Sequence, residues 1–371
     1  MKAALALGKV GILVCIQSVS ILKPIIFETL VTAIGFLAFL ALAGPLQAQI
    51  SLPNAPAAEL DMLRFELSVP CMGSSVDLVV YSKTQPQAQS VMDAGLAEIE
   101  RLSGILSNYD PDSEISKLCS TPSAEWVDVS PDLANVLSHS RRWHQLSYGK
   151  FDITVGPLSQ IWRASRKQKQ LPTRIEIDTA KERCGWDCFG FEPTSGKAIL
   201  YRPKMMLDLS GIAVGYIVDA AFEKMVELDH RTILVNAGGD IRVGDAPPEM
   251  DGWRITVAGL GKESPPLTSL RLKNCAVTTS GDLNQFAEVG GRRYSHFLDP
   301  KSGEPIERRQ SVTVIAATTL DADAGATALA ILGINRTCEI FHELPLSQAV
   351  MVEASEKDGT PSRMRWLSNQ E

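Results

Sequence analysis

Leu207-Asp208-Leu209-Ser210-Gly211-Ile212-Ala213-Val214-Gly215-Tyr216 is the stretch on which the reading of this chain turns. An acidic residue closes an apolar run, and small residues then open a helix that the spacing extends from Gly211 to Leu228. Such a start exposes helix N–H groups where backbone can approach an anionic group closely. The glycines are Gly211 and Gly215, and no third one follows at the place a dinucleotide-binding G-x-G-x-x-G turn requires. A helix start packed with small residues for close contact is the plain structural alternative.

Outward from this stretch, strands mostly follow strands. Residues 196–208 read as two strands, and Thr232 to Val243 reads as one strand ending in Asn236-Ala-Gly-Gly-Asp240. Residues 253–258, 267–279, 293–298, 310–317 and 348–353 have strand patterns. Leu63 to Ser82 reads as two strands around a turn at Cys71-Met72-Gly73. Helical spacing appears at 87–107, at 131–148 behind Ser130, and in the Ala-rich segment 322–332. Phe151 to Leu158 reads as a buried segment, followed by a polar surface stretch to about Ile177. The class is α+β, with mixed or antiparallel sheets packed with helices, rather than a doubly wound sheet.

The chain has 371 residues, 45% apolar and 21% charged, which is the composition of an ordinary globular protein. Its net charge of −7 carries no nucleic-acid footprint. An acidic protein that binds an anionic ligand needs a local device, such as a metal, a helix N-terminus or a backbone nest. Residues 1–48 stand apart, with three lysines, one acid and two apolar runs, Val10 to Leu22 and Leu30 to Ala43. They read as an export signal cut after Ala48, with an uncleaved anchor as the alternative. Residues 49–64 then read as a linker, 65–355 as the catalytic domain and 356–371 as a C-terminal tail. Cys184 and Cys188 are spaced for a local disulfide or stand as two inert thiols. No second half of a metal site follows them.

Four further clusters carry chemistry. Asp323 and Thr327 are four apart, so a helix sets a carboxylate and a hydroxyl on one face. That pair suits Mg2+, which takes one or two carboxylates and completes its shell with water and substrate phosphate. Asp323 as a helix-dipole partner is the alternative. Val235-Asn-Ala-Gly-Gly-Asp240 is a ligand-supporting turn or a plain tight turn. Thr278-Thr-Ser-Gly-Asp282 and Tyr294-Ser-His-Phe-Leu-Asp299 place His296 among hydroxyls and carboxylates. Asn108 to Glu114 and Phe151 to Pro157 offer Tyr109 and Phe151 to cover a planar ring, with Asp152 and Thr154 as polar contacts.

Taken jointly and in this order, the segments 107–116, 151–158, 207–216, 234–240, 278–282, 294–303 and 322–329 resemble the ApbE family, the FAD:protein FMN transferases. The resemblance runs from about Met72 to Leu332 and implies an ApbE-like, T-fold-like, two-lobed single catalytic domain. It further implies Mg2+-dependent transfer of FMN from FAD to a threonine or serine of an exported or membrane acceptor, such as a membrane redox subunit, with release of AMP. By the same resemblance Asp323 and Thr327 are metal ligands, joined by a backbone carbonyl from the turn of Gly211 to Ala213. Met72, Tyr109, Phe151, Asp152, Asp208, Val214 and Leu298 then line the flavin nucleotide. His296 is the candidate base for the acceptor hydroxyl, and Asp282 is the second.

One departure is visible: the family commonly has lysine or another polar residue where Val214 stands, and a valine side chain cannot hydrogen-bond FAD. A Mg2+-dependent FAD pyrophosphatase giving FMN and AMP is therefore the alternative enzyme, and a periplasmic FAD-binding protein the non-catalytic one. The expected location is the periplasm or the outer face of the inner membrane. AMP release separates both enzymes from the binder, and covalent flavin on an acceptor separates the transferase from the hydrolase.

Overall fold

Hydrophobic residues that alternate along each strand divide between two faces of one eight-stranded antiparallel sheet. The computed structural model describes residues 62–369 apart from 258, 261–265, 282–285, 290 and 355–360. The predicted signal, most of the predicted linker, and Asp282 lie outside the described residues. All described elements belong to one compact unit spanning Leu60–Glu371.

In chain order, β1 (Leu63–Cys71) and β2 (Ser74–Ser82) form a hairpin, followed by α1 (Gln85–Leu106) and α2 (Glu114–Ser120). Then come β3 (Val127–Asp128), α3 (Pro131–Leu146), a short 3₁₀ turn (Ile153–Val155), α4 (Gly156–Gln168) and α5 (Arg174–Lys181). β4 (Phe189–Glu192) and β5 (Lys197–Leu200) precede α6 (Ala213–Val226). β6 (Ile233–Ala237), β7 (Asp240–Val243), β8 (Trp253–Val257), β9 (Thr268–Leu272) and β10 (Cys275–Gly281) follow. The chain continues through β11 (Phe286–Val289), β12 (Arg292–Ser295), β13 (Gln310–Ala316), α7 (Thr319–Ile340), β14 (Leu346–Ala354) and β15 (Pro361–Ser368).

The large sheet has the order β1-β2-β6-β7-β10-β13-β14-β15. Val76, Leu78 and Val80 of β2, with Val312, Val314 and Ala316 of β13, face the main core, where α1, α6 and α7 pack. Val79 and Ile315 point to the other face and meet Trp253 and Ile255 of β8. This period-two division is what a sheet covered on both faces requires. From Ala322 to Ala330 the buried positions of α7 are mostly alanine and glycine, so this part of the helix lies close against the strands that carry the site.

Several boundaries differ from the sequence reading. Within the expected C-terminal tail, β15 pairs with β14 through Met351↔Arg365 and neighbouring pairs. Arg363 and Arg365 mask a strand that, at a sheet edge, needs no clean apolar alternation. The domain begins with β1 at Leu63, ahead of the expected start at Phe65. The expected single strand 232–243 is the hairpin of β6 and β7, turned by Gly238 (φ +64) and Gly239 (φ +109). The second strand expected within 196–208 does not form. After β5 the chain is irregular up to α6, held by side chains instead of a partner strand. The polar stretch before Ile177 is helical, as α4 and α5. Their buried faces are narrow, and a capping box between Thr173 and Glu176 starts α5. Cys184 and Cys188 are free thiols. Burial pushes the Cys184 thiol up to about 12, which keeps it protonated and inert.

Candidate functional site

The irregular segment that carries Asp208 owes its shape to Asn108. The Asn108 side chain donates to Leu207 O at 2.6 Å and accepts from Leu209 N at 2.7 Å, replacing the backbone partners a strand would supply. Asp208 N donates to Ile153 O at 2.7 Å, which joins this segment to the 3₁₀ turn after Phe151. Asp152 opens that turn by accepting from Thr154 N at 2.8 Å and from Thr154 Oγ1 at 2.6 Å.

These contacts bring Phe151, Asp152, Asp208, Gly211, His296, Leu298 and Thr327 to the wall of one cavity, together with Lys150, Ser159 and Ser210. A second cavity of about 380 Å³ is lined by Asn108, Tyr109, Arg163, Lys167 and Leu207, and it shares Asp208 with the first. Its volume falls in the range of small-molecule sites. Tyr109 is 77% exposed, and the Arg163 guanidinium lies 5.1 Å from its ring centroid.

Beneath the first cavity, α6 and α7 meet without intervening side chains. A Cβ at Gly211 would stand 3.0 Å from Thr327 Oγ1, and Gly215 N donates to Asp323 Oδ2 at 3.2 Å. Asp323 is buried, and burial first, then the charge of Asp240, pushes its carboxyl well above the usual carboxylate range. Burial drives Asp240 itself up to about 7, opposed by the Thr278 hydroxyl and reinforced by the charge of Asp219. Asp323 is buried and Asp240 half-buried, and two neighbouring carboxylates that repel each other are stabilised by a cation, the counter-charge a hard metal ion supplies.

Asp208 follows the opposite course. Burial works against its charge, but Arg163 and hydrogen bonds from Ser159 and Ser210 outweigh that and hold its carboxyl below the ordinary range. Asp152 is raised, mainly by burial, with its Thr154 hydrogen bonds and His144 acting against the rise. His296 stands half-buried in the cavity wall with its ring centroid 3.9 Å from that of Phe297.

Four expected residues do not reach the cavity wall, the first being Asp323, which is buried in α7. Met72 occupies the left-handed turn between β1 and β2 (φ 51) and packs against the main core. Val214 is half-buried against the same core at the start of α6, and Ala213 is buried beside it. Sequence reasoning missed Lys150, Asn108 as a clamp, Arg163 as the partner of Asp208, and Asp240 as the acid beside Asp323. The Gly-Gly-Asp240 turn was visible, but its carboxylate only gains meaning once β7 and α7 are adjacent.

A sequence model of the ApbE family matches residues 72–351. The chain is 31% identical to the FAD:protein FMN transferase of Haemophilus influenzae over 67% of this chain and 74% of that one. It is also 31% identical to the FAD:protein FMN transferase of Escherichia coli strain K12, over 72% of this chain and 76% of that one. In three dimensions it is similar to the flavin transferase ApbE from Vibrio cholerae, with a TM-score of 0.74 and 25% identity, covering 83% of this chain and 98% of that one. The ApbE protein from Thermotoga maritima gives 0.72 and 29%, covering 81% and 97%. With the antiparallel α+β fold, the cavity at Asp208 and a family match over most of the described chain, this protein belongs to the ApbE family.

Proposed function

We propose that this chain transfers FMN from FAD to a threonine or serine hydroxyl of an exported or membrane-bound acceptor protein, in a Mg2+-dependent reaction that releases AMP. The observation that carries this reading is the cavity pair that meets at Asp208 above the buried Asp323–Thr327 face. The relatives that carry the name FAD:protein FMN transferase support it.

The donor set fits Mg2+. Asp323 offers a carboxylate, Thr327 a hydroxyl, and the turn of Gly211 to Ala213 backbone carbonyls, all hard oxygens. Among the described residues no group of three or more His, Cys, Asp or Glu is placed to hold a metal ion. An all-protein cage is therefore not on offer, and Mg2+ is the cation that accepts a sparse set completed by water and phosphate. When bound, it neutralises pyrophosphate charge and stabilises AMP as it leaves.

The residues do the rest. In this reading Tyr109 and Phe151 cover the two ring systems of FAD, with Asp208, held by Arg163, between them. The acceptor hydroxyl oxygen attacks the phosphorus of the FMN half. The bond from that phosphorus to the bridging oxygen breaks, AMP departs with that oxygen, and His296 takes the hydroxyl proton. Positioning and charge stabilisation supply most of the rate in such a displacement. Export through residues 1–48 would bring this chemistry to the periplasm or the outer face of the inner membrane, within reach of an exported acceptor.

The test incubates the chain with FAD, Mg2+ and a candidate acceptor and compares it with Asp323→Ala. Covalent flavin on the acceptor in a denaturing gel, lost in the variant, supports the transferase. AMP release with water as the only acceptor points to the pyrophosphatase, and bound FAD with no AMP released overturns both enzymes.

A further inference from the structure

Lys150 is the one lysine or arginine among the described residues that line the His296 cavity. α3 ends in two left-handed residues, Tyr148 (φ 53) and Gly149 (φ +80), and this turn sets Lys150 at the cavity wall. Its Nζ donates to Asp299 Oδ2 at 2.7 Å, and each of the two side chains is 29% exposed.

That ion pair looks like a strap for the loop that carries His296, but the loop has other anchors. Asp299 Oδ1 accepts from Lys301 N at 2.9 Å, and Gly303 N donates to Asp299 O at 2.8 Å. Leu298 bridges Pro305, and Trp162 Nε1 donates to Gly303 O at 2.9 Å, pinning the loop to α4. A partly exposed ion pair on a loop already fixed this way adds little stability. Asp299 keeps its backbone donor from Lys301 when Lys150 leaves. The lysine is therefore free to exchange one anion for another at small cost.

A stronger anion belongs in this cavity under the FAD reading, on which this inference rests. The pyrophosphate brings two negative charges to a wall that already holds the carboxylates of Asp152 and Asp208. Arg163 offsets Asp208, and Asp323 and Thr327 would hold a Mg2+ ion. On that wall Lys150 is the one lysine or arginine among the described residues that can meet the phosphate charge.

We propose that Lys150 is a phosphate-binding residue of the flavin nucleotide site, released from Asp299 when the nucleotide enters and paired with its pyrophosphate.

The experiment measures dissociation constants of FAD and of phosphate-free riboflavin by flavin fluorescence, using the full chain with and without Mg2+. The forms compared are wild type, Lys150→Met, Lys150→Arg and Asp299→Asn. Lys150→Met should weaken FAD about tenfold or more and leave riboflavin within about twofold. Lys150→Arg should keep most FAD affinity, and Asp299→Asn should bind FAD as tightly as wild type or tighter, because it frees the lysine. Equal weakening of FAD by Lys150→Met and Asp299→Asn, or an equal loss for riboflavin, would mean that Lys150 only straps the loop. If wild type binds FAD and Lys150→Met binds it equally well, the FAD reading stands and the role of Lys150 falls. If wild type binds no FAD, the FAD reading itself falls and takes this inference with it.

Discussion

Arg163 Nη2 donates to Asp208 Oδ2 at 2.8 Å on the wall that the two cavities share. The same guanidinium lies against Tyr109, so one side chain ties α4 to the loop after α1 and to the segment before α6. The Asp208 side chain is only 8% exposed, and without Arg163 it is a buried charge that has lost its direct ion-pair partner and keeps only the longer-range charge of Arg166.

Arg163→Ala should therefore destabilise the protein by about 3 kcal/mol at neutral pH, the low end for breaking a buried pair because Arg163 is partly solvated. The folded carboxyl of Asp208 is held below its unfolded value. Its stabilisation is thus present above the unfolded carboxylate pKa, about 3.9, and lost as pH falls through the folded one. Thermal denaturation from pH 3 to 7 should show the gap between wild type and variant closing below about pH 4. A gap that stays constant to pH 3 would argue that Arg163 acts through packing alone.

Asp323→Asn should stabilise the metal-free protein and abolish its response to Mg2+. The folded carboxyl is raised above its unfolded value, so holding it ionised at neutral pH costs stability that the isosteric amide does not. A rise of roughly 2–4 °C in Tm without metal is expected. The upward shift on adding Mg2+, present in wild type, should disappear, and FMN transfer should drop to background. A variant that still gains stability from Mg2+ would place the cation elsewhere.

His296→Ala should separate chemistry from binding. As a base it should be worth about 10²- to 10⁴-fold in transfer rate, with the FAD dissociation constant changed by no more than about threefold. Equal losses in both would reduce His296 to a structural or binding role.

Gly215→Ala tests the contact between α6 and α7. Its Cβ would stand 2.5 Å from Thr319 O and 2.9 Å from both Leu320 Cα and Asp323 Cβ, and backbone cannot yield there as a side-chain tip can. A loss of about 1–3 kcal/mol is expected, together with weaker Mg2+ binding as Asp323 is displaced. Gly104→Ala in α1, where nothing lies within 4 Å of the new methyl, is the control. It should be neutral or stabilising by up to about 1 kcal/mol. Denaturant titration of the two variants checks both.

The sequence was most informative where local chemistry and periodicity agree. The helix behind Ser130 starts as expected because Ser130 accepts from Leu133 N and Pro131 begins the first turn. The hairpin at Met72-Gly73 was legible from its turn residues, α1 from its apolar spacing, and the alanine-rich part of α7 from its composition, whereas the stretch of α7 beyond Leu332 was not read. Reading failed where polar elements are held by tertiary contacts. α4 looks like surface because few of its residues are buried apolar ones, and β15 looks like a tail because an edge strand bears charge freely.

By itself, the sequence determined the α+β class and the family, and it singled out Asp208, Asp323, Thr327 and His296 as candidates, because each sits in a short motif whose spacing is local. Only the tertiary structure decided what those residues do to one another. Asp240 and Asp323 are 83 positions apart and acquire their shifted ionisation only by being brought together; Lys150 and Asp299 form an ion pair across a gap no pattern spans. The physical reason is that motifs specify donors and acceptors, whereas burial, dielectric and counter-charge depend on which distant segments the core brings into contact.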